Sequence, residues 1–139
     1  MPAPRAATTV CTTIALSLLA AFPSRAEPLP GSEWAPKELS GAPVPPGTDV
    51  FIRFDTEGLY FGNGGCNTFR GRYVTQSDAI LLGPAAATMM ACAEPVARRE
   101  SDFMQALSTA RFFTRDGASL TLSDADGTPV LTMDQRDRD

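Results

Sequence analysis

Cys66 and Cys92 have the widest chemical reach of any residues in this chain. A thiolate is a nucleophile, a redox centre and a soft metal ligand. The 139 residues contain 3 cysteines. The third, Cys11, lies inside an N-terminal apolar run. Met89 and Met90 precede Cys92, and their thioethers would suit Cu(I) beside two thiolates. Three readings of the pair are therefore open: a disulfide, two inert buried thiols, or a redox or soft-metal centre. A redox pair normally has Cys-x-x-Cys spacing, which is absent, and methionines in an apolar stretch usually fill a core.

Other chemistries find little support. There is no histidine, which excludes imidazole zinc sites and histidine-based triads. Lys37, the sole lysine, sits in a proline-rich segment. Asp55, Glu57 and Glu100 are carboxylates that nothing in the sequence brings together. Asp124, Asp126 and Gly127 resemble part of a calcium loop but lack its other ligands, so a hairpin turn is expected. Gly65 and Gly71 read as backbone devices, because no helix follows them to cradle a phosphate. Asn67 would hydrogen-bond nearby backbone, with ligand contact as the second reading. Phe69, Tyr73 and Phe103 read as core. Trp34, Tyr60 and Phe61 read as candidates to line a pocket for a small apolar ligand. Arg70, Arg72, Arg98 and Arg99 form either a solvated face or a docking patch for an anionic lipid, lipopolysaccharide or an acidic partner. No catalytic residue, metal or cofactor is expected. The net charge of -4 argues against nucleic acid as a partner.

The N-terminus explains the compartment in which these residues would act. Arg5 is followed by an uncharged stretch to Ser24 with an apolar centre from Val10 to Phe22, about 13 residues. That is short for a bilayer span, and Ser24-Arg25-Ala26 offers a signal-peptidase site. A secretory signal over residues 1–26, cleaved after Ala26, is expected. A lipoprotein cysteine is not, because Thr8-Thr9-Val10 precedes Cys11. The mature chain begins at Glu27 and keeps 10 basic against 16 acidic residues. In an exported chain the remaining even pair, Cys66 and Cys92, reads first as a disulfide.

The elements that would position these residues are short. Residues 27–47 are rich in Pro and Gly, with a short edge strand over Trp34–Ser40 that tolerates Pro36. Strands follow at Val50–Asp55 and Leu59–Phe61. Gly62-Asn63-Gly64-Gly65 marks a bulge or tight corner. Phe69–Thr75 and Ala79–Leu82 read as a hairpin, and Ala85–Ala93 as a packed loop or partial strand. Pro95–Ala110 is the one helix, with Val96, Phe103, Met104, Leu107 and Ala110 on its apolar face. Glu100 falls among them and should lean to the rim or pair with an arginine. Strands at Arg111–Arg115, Ser119–Ser123 and Val130–Asp134 are joined by Asp116-Gly117 and Asp126-Gly127 turns. Residues 135–139 should fray. The fold class expected is mainly β (α+β): an antiparallel sheet or partly closed barrel of about seven or eight short strands with one helix packed on it.

Three stretches carry a family resemblance. They are Gly65-Cys66-Asn67-Thr68-Phe69-Arg70-Gly71-Arg72-Tyr73; Thr88-Met89-Met90-Ala91-Cys92 with Glu100, Phe103 and Leu107; and Leu120 to Gly127. In this order and spacing, and with the opening Trp34, the chain resembles the META domain of the heat-shock protein HslJ and of envelope proteins of many bacteria. Pro36 departs from the family pattern and bears on the pairing of the first strand. The resemblance implies a META/HslJ-like domain over residues 48–134, with the Trp34 region in its first strand. It implies export to the periplasm or cell envelope and a part in heat-shock, stress or antibiotic tolerance. No catalytic residue is established for the family. The expected protein is a monomeric, non-enzymatic binding domain. The alternatives are a carrier of a small apolar ligand or lipid, and an inhibitory or pilot-type module docking on an envelope protein.

Overall fold

The structure is a computed structural model that describes residues 2–4 and 27–136. The signal segment and its cleavage site fall on residues 1–26, of which all but 2–4 lie outside the described residues. The elements are β1 (Ser32–Leu39), β2 (Ala42–Pro43), β3 (Phe51–Phe54), β4 (Leu59–Asn63), β5 (Thr68–Gln76), β6 (Ala79–Leu82), β7 (Ala86–Ala87), α1 (Val96–Thr109), β8 (Phe112–Asp116), β9 (Ser119–Ser123) and β10 (Pro129–Gln135).

Strict alternation builds the wall. In β3, β4 and β9 every second residue is buried and its neighbours face outward, as a one-sided sheet requires. The strands pair antiparallel in the order β10-β9-β8-β6-β5-β4-β3-β1, and β1 pairs back onto β10. The sheet is thus a closed eight-stranded barrel. β2 and β7 are two-residue additions on β1 and β5. The seam between β6 and β8 is the thinnest, with Ala79 opposite Phe112.

The turns are set by local chemistry. Asp55 Oδ1 accepts from the backbone N–H groups of Glu57 (2.9 Å) and Leu59 (2.8 Å). Asp124 Oδ1 does the same for Asp126 and Thr128, both at 2.9 Å. The Asp124–Gly127 segment is therefore a hairpin turn, as expected.

Three expectations are corrected. β1 is not an edge strand: it lies between β3 and β10 and closes the ring. Pro36 is accommodated because the register with β10 shifts between Pro36 and Glu38, and a bulge relieves proline of its ladder duty. Within residues 27–47 the Trp34 region is the first strand, as expected, and Leu29 ahead of it is buried in the core. Fraying does not begin at Gln135, which ends β10, and the Arg136 N–H donates to the Glu33 carbonyl at 2.8 Å. The 85–93 stretch is not packed: beyond the Ala86–Ala87 strand it is mostly exposed, and Met89 and Met90 are 95% and 61% exposed instead of filling the core.

Helix α1 covers one end of the barrel. Phe103, Ala106 and Leu107 are its buried residues, joining Trp34, Phe54, Phe69, Leu120, Leu122, Leu131 and Met133 in one core. Ala106 was not among the residues expected on the apolar face. Its small side chain lets the helix sit close. Among the described residues no helix is long and apolar enough to cross a membrane.

This core generates a prediction. Leu122 is fully buried and Thr121 faces outward on the same strand. Leu122→Ala should cost about 2–5 kcal/mol and Thr121→Ala about 0.5 kcal/mol or less. Equilibrium denaturation of the two variants measures the difference.

Candidate functional site

The residues singled out at Gly65–Tyr73, Thr88–Cys92 and Glu100 converge on one corner, where β4 turns into β5 beneath the N-terminal half of α1. The corner is narrow by necessity. A Cβ on Gly64 would lie 2.6 Å from Glu100 Cγ, and one on Gly71 would lie 2.6 Å from the Tyr60 ring. Gly65 has a φ of 112°, in the region glycine adopts most easily.

Cys66 and Cys92 form a disulfide across 26 residues of sequence, with Cα atoms 6.1 Å apart. It ties the corner to the 88–94 loop. The redox-pair and free-thiol readings give way to a structural cross-link in the described protein.

Asn67 is the centre of the polar network. Its Oδ1 accepts from Thr88 Oγ1 (2.9 Å) and the Met90 N–H (2.7 Å). Its Nδ2 donates to the Met90 carbonyl (3.3 Å) and to Glu100 Oε1 (2.7 Å). An amide side chain has two donor hydrogens and two acceptor lone pairs, so Asn67 is fully used. The local role expected for it is the one observed.

Glu100 is half-buried at the rim of the helix face, one of the two positions expected for it, and it meets backbone and amide donors in place of an arginine. Its Oε2 accepts from the backbone N–H groups of Cys66 (3.0 Å) and Asn67 (2.6 Å), and Oε1 from Asn67 Nδ2. Burial works against its charge, but the hydrogen bonds from Asn67 and Cys66 prevail and hold the carboxyl below its ordinary value. The missed signal was glycine: the run at 62–65 leaves room for a carboxylate descending from the helix. Asp55 and Glu57 belong to the β3–β4 turn, so the three carboxylates form no joint site.

The candidate pocket residues separate. Trp34 and Tyr60 are 0% and 2% exposed and fill the core, contrary to the expectation that they line a hollow. Trp34 Nε1 donates to Ser32 Oγ at 2.7 Å, and the Tyr60 hydroxyl donates to the Gly83 carbonyl. Burial raises the Tyr60 hydroxyl pKa. It does the same for Tyr73, with the Asp55 charge adding to the effect. Phe61 alone of the three lines an outer hollow of about 670 Å³, with Phe51, Arg70, Ala86 and Ala87. Arg70 and Arg72 share the outward face of β5. Arg98 and Arg99 lie apart from them, in a cleft of about 530 Å³ between α1 and the β1–β2 hairpin. The four arginines thus form two sets. Among the described residues no group of three Cys, Asp or Glu side chains converges as a metal site would require.

A family model described as META domain matches residues 27–137. Among solved structures, the chain is similar to an NMR structure of a protein from Burkholderia xenovorans. The two share 20% identity over 91% of this chain and 100% of that one, with a TM-score of 0.66. It is also similar to a crystal structure of a DUF4847-family protein from Bacteroides vulgatus, 15% identical over 80% of this chain and 96% of that one, with a TM-score of 0.56. At these identities the likeness concerns the fold. No curated protein matches.

Two predictions test the clamp. Glu100→Gln replaces an acceptor with a group that also donates, opposite three donors, and should cost about 1–3 kcal/mol. Because the folded pKa is depressed, the charged form's contribution is complete above the ordinary value of 4.5 and is lost as pH falls below it through the folded value. Denaturation curves of the wild type and Glu100→Gln should therefore converge below pH 4.5. Cys66→Ser/Cys92→Ser opens a 26-residue loop and should lower stability by roughly 3–4 kcal/mol on the chain-entropy account, measurable by urea unfolding.

Proposed function

The chain belongs to the META domain family, and on that premise we propose that it is an exported, non-enzymatic binding domain of the bacterial periplasm or cell envelope with a role in stress or antibiotic tolerance. The observation that carries this reading is the occupation of the motif's reactive groups. Both thiols are joined. All four hydrogen-bonding positions of Asn67 are taken, and both oxygens of Glu100 are held by the corner. A catalytic group needs a free lone pair or proton facing substrate, and these have been turned to architecture instead. The cross-link also supports an oxidising compartment.

Binding would take place on the outside. The interior is filled by Trp34, Phe54, Phe69, Phe103 and their neighbours, which leaves a ligand carrier the hollows on the outside, of which the one beside Phe61 holds a residue expected to line a pocket. Closure of the ring through β1 and β10 also weighs against a module that lends a long free edge to a partner strand.

Native mass spectrometry of the naturally produced protein tests the proposal. The expected mass begins at Glu27, is two hydrogens lighter than the reduced chain, and carries no small molecule. An unprocessed N-terminus or reduced cysteines would overturn the export reading. Substrate turnover that disappears in Cys66→Ser or Glu100→Gln would overturn the non-enzymatic one.

A further inference from the structure

The four consecutive strands β3–β6 contain no aspartate or glutamate, although the whole chain carries 16 acidic residues. They contain Arg53, Arg70 and Arg72. Register places these on one outer face: Phe61 is opposite both Arg53 and Arg70, Leu59 is opposite Arg72, and Val74 is opposite Leu81. The Arg53 guanidinium lies over the Phe61 ring at 5.8 Å, and its Nε is buried with no hydrogen-bond partner among the described residues. None of the three arginines forms an ion pair among the described residues. Arg98, Arg115 and Arg136 each pair with a carboxylate.

The same face is rich in exposed apolar groups. Val74 is 64% exposed and Leu81 50%, and Phe112 on the neighbouring β8 is 39% exposed. A second hollow of about 750 Å³ opens beside them, also lined by Ala79 and Ala125. The two outer hollows sit at opposite ends of β5, with Arg70 in one, Val74 in the other and Arg72 between. Cationic and apolar groups thus alternate along the wall.

We propose that the outer wall of β3–β6 is a docking surface for an anionic lipid bilayer, with Arg70 and Arg72 meeting lipid phosphates while Phe61, Val74 and Leu81 enter the headgroup boundary. Charge complementarity identifies the occupant. Arginine binds phosphate in a planar fork, and interleaved apolar groups match the acyl layer just beneath. A convex barrel wall meets a fluid interface without a shaped counterpart. The net charge of the whole protein opposes this contact, so binding must come from this wall. The proposal deepens the envelope reading and rests on it for the biological setting.

Vesicle co-sedimentation of the purified, disulfide-intact mature chain tests it independently of export. The probes are phosphatidylcholine vesicles with and without phosphatidylglycerol. Binding is expected only with phosphatidylglycerol and should weaken as salt rises. Each arginine near such a surface contributes about fivefold, so Arg70→Gln/Arg72→Gln should lower partitioning by roughly 25-fold. Arg98→Gln/Arg99→Gln makes the same charge change on the helix side and should leave it within about twofold. Circular dichroism would verify that both variants fold. Val74→Ser/Leu81→Ser should weaken binding without removing its salt dependence. Equal binding to uncharged vesicles, or equal loss in both arginine pairs, would overturn the proposal. So would binding of a dispersed fatty acid with no vesicle binding, which would point instead to a ligand held in the Phe61 hollow.

Discussion

A barrel of eight strands encloses a space about as wide as the side chains that fill it. That constraint governs this protein. Once β1 closes onto β10, the inward residues of every strand must pack against one another, and α1 must supply Phe103 and Leu107 to fill the end. Among the described residues the interior is taken up by these side chains, and the hollows that bear on binding lie outside it. Closure also removes the hazard of a long free strand edge, leaving only the two-residue strands β2 and β7 and the thin β6–β8 seam.

Closure places a demand on the corner beneath the helix. There the chain leaves β4 through Gly64 and Gly65 and enters β5, and the backbone N–H groups of Cys66 and Asn67 point toward α1. Buried N–H groups need partners. Glu100 supplies two of the bonds from the helix and Asn67 joins the 88–94 loop to the same point. A carboxylate facing several N–H donors resembles a reactive centre in miniature. The donors here belong to the protein's own chain, so the arrangement fastens the helix to the barrel.

Local periodicity made most of the fold legible. Alternation identified β3, β5, β6, β9 and β10, the Asp-Gly pairs identified two hairpins, and the helix followed from the spacing of Phe103, Leu107 and Ala110. Non-local relations were hidden. Pro36 argued for an edge strand because the bulge that excuses it depends on β10, nearly a hundred residues away. Trp34 and Tyr60 looked like pocket residues because an aromatic side chain carries no sign of whether a barrel is hollow or filled. Met89 and Met90 looked like core, yet Asn67 holds the Met90 backbone and the Thr88 hydroxyl at the surface, and both methionine side chains are exposed. The disulfide was readable from the even pair and the export expected of the chain, whereas the partner of Glu100 was not.

The distribution of carboxylates links the folding constraints to the outer surface. Asp55 and Asp124 close turns and Glu100 ties the helix. Glu33 and Asp134, on β1 and β10, pair with Arg136 and Lys37. These tasks fall at strand ends, at the helix and at the closing seam. None falls on β3–β6, whose hairpin turns lie outside the strands themselves. A negatively charged protein thereby acquires one wall without negative side chains. Such an asymmetric charge distribution orients a molecule as it approaches a charged partner, and it needs no dedicated pocket to do so. The economy of a small filled barrel and the exposure of its arginine-bearing wall are thus two consequences of one closure.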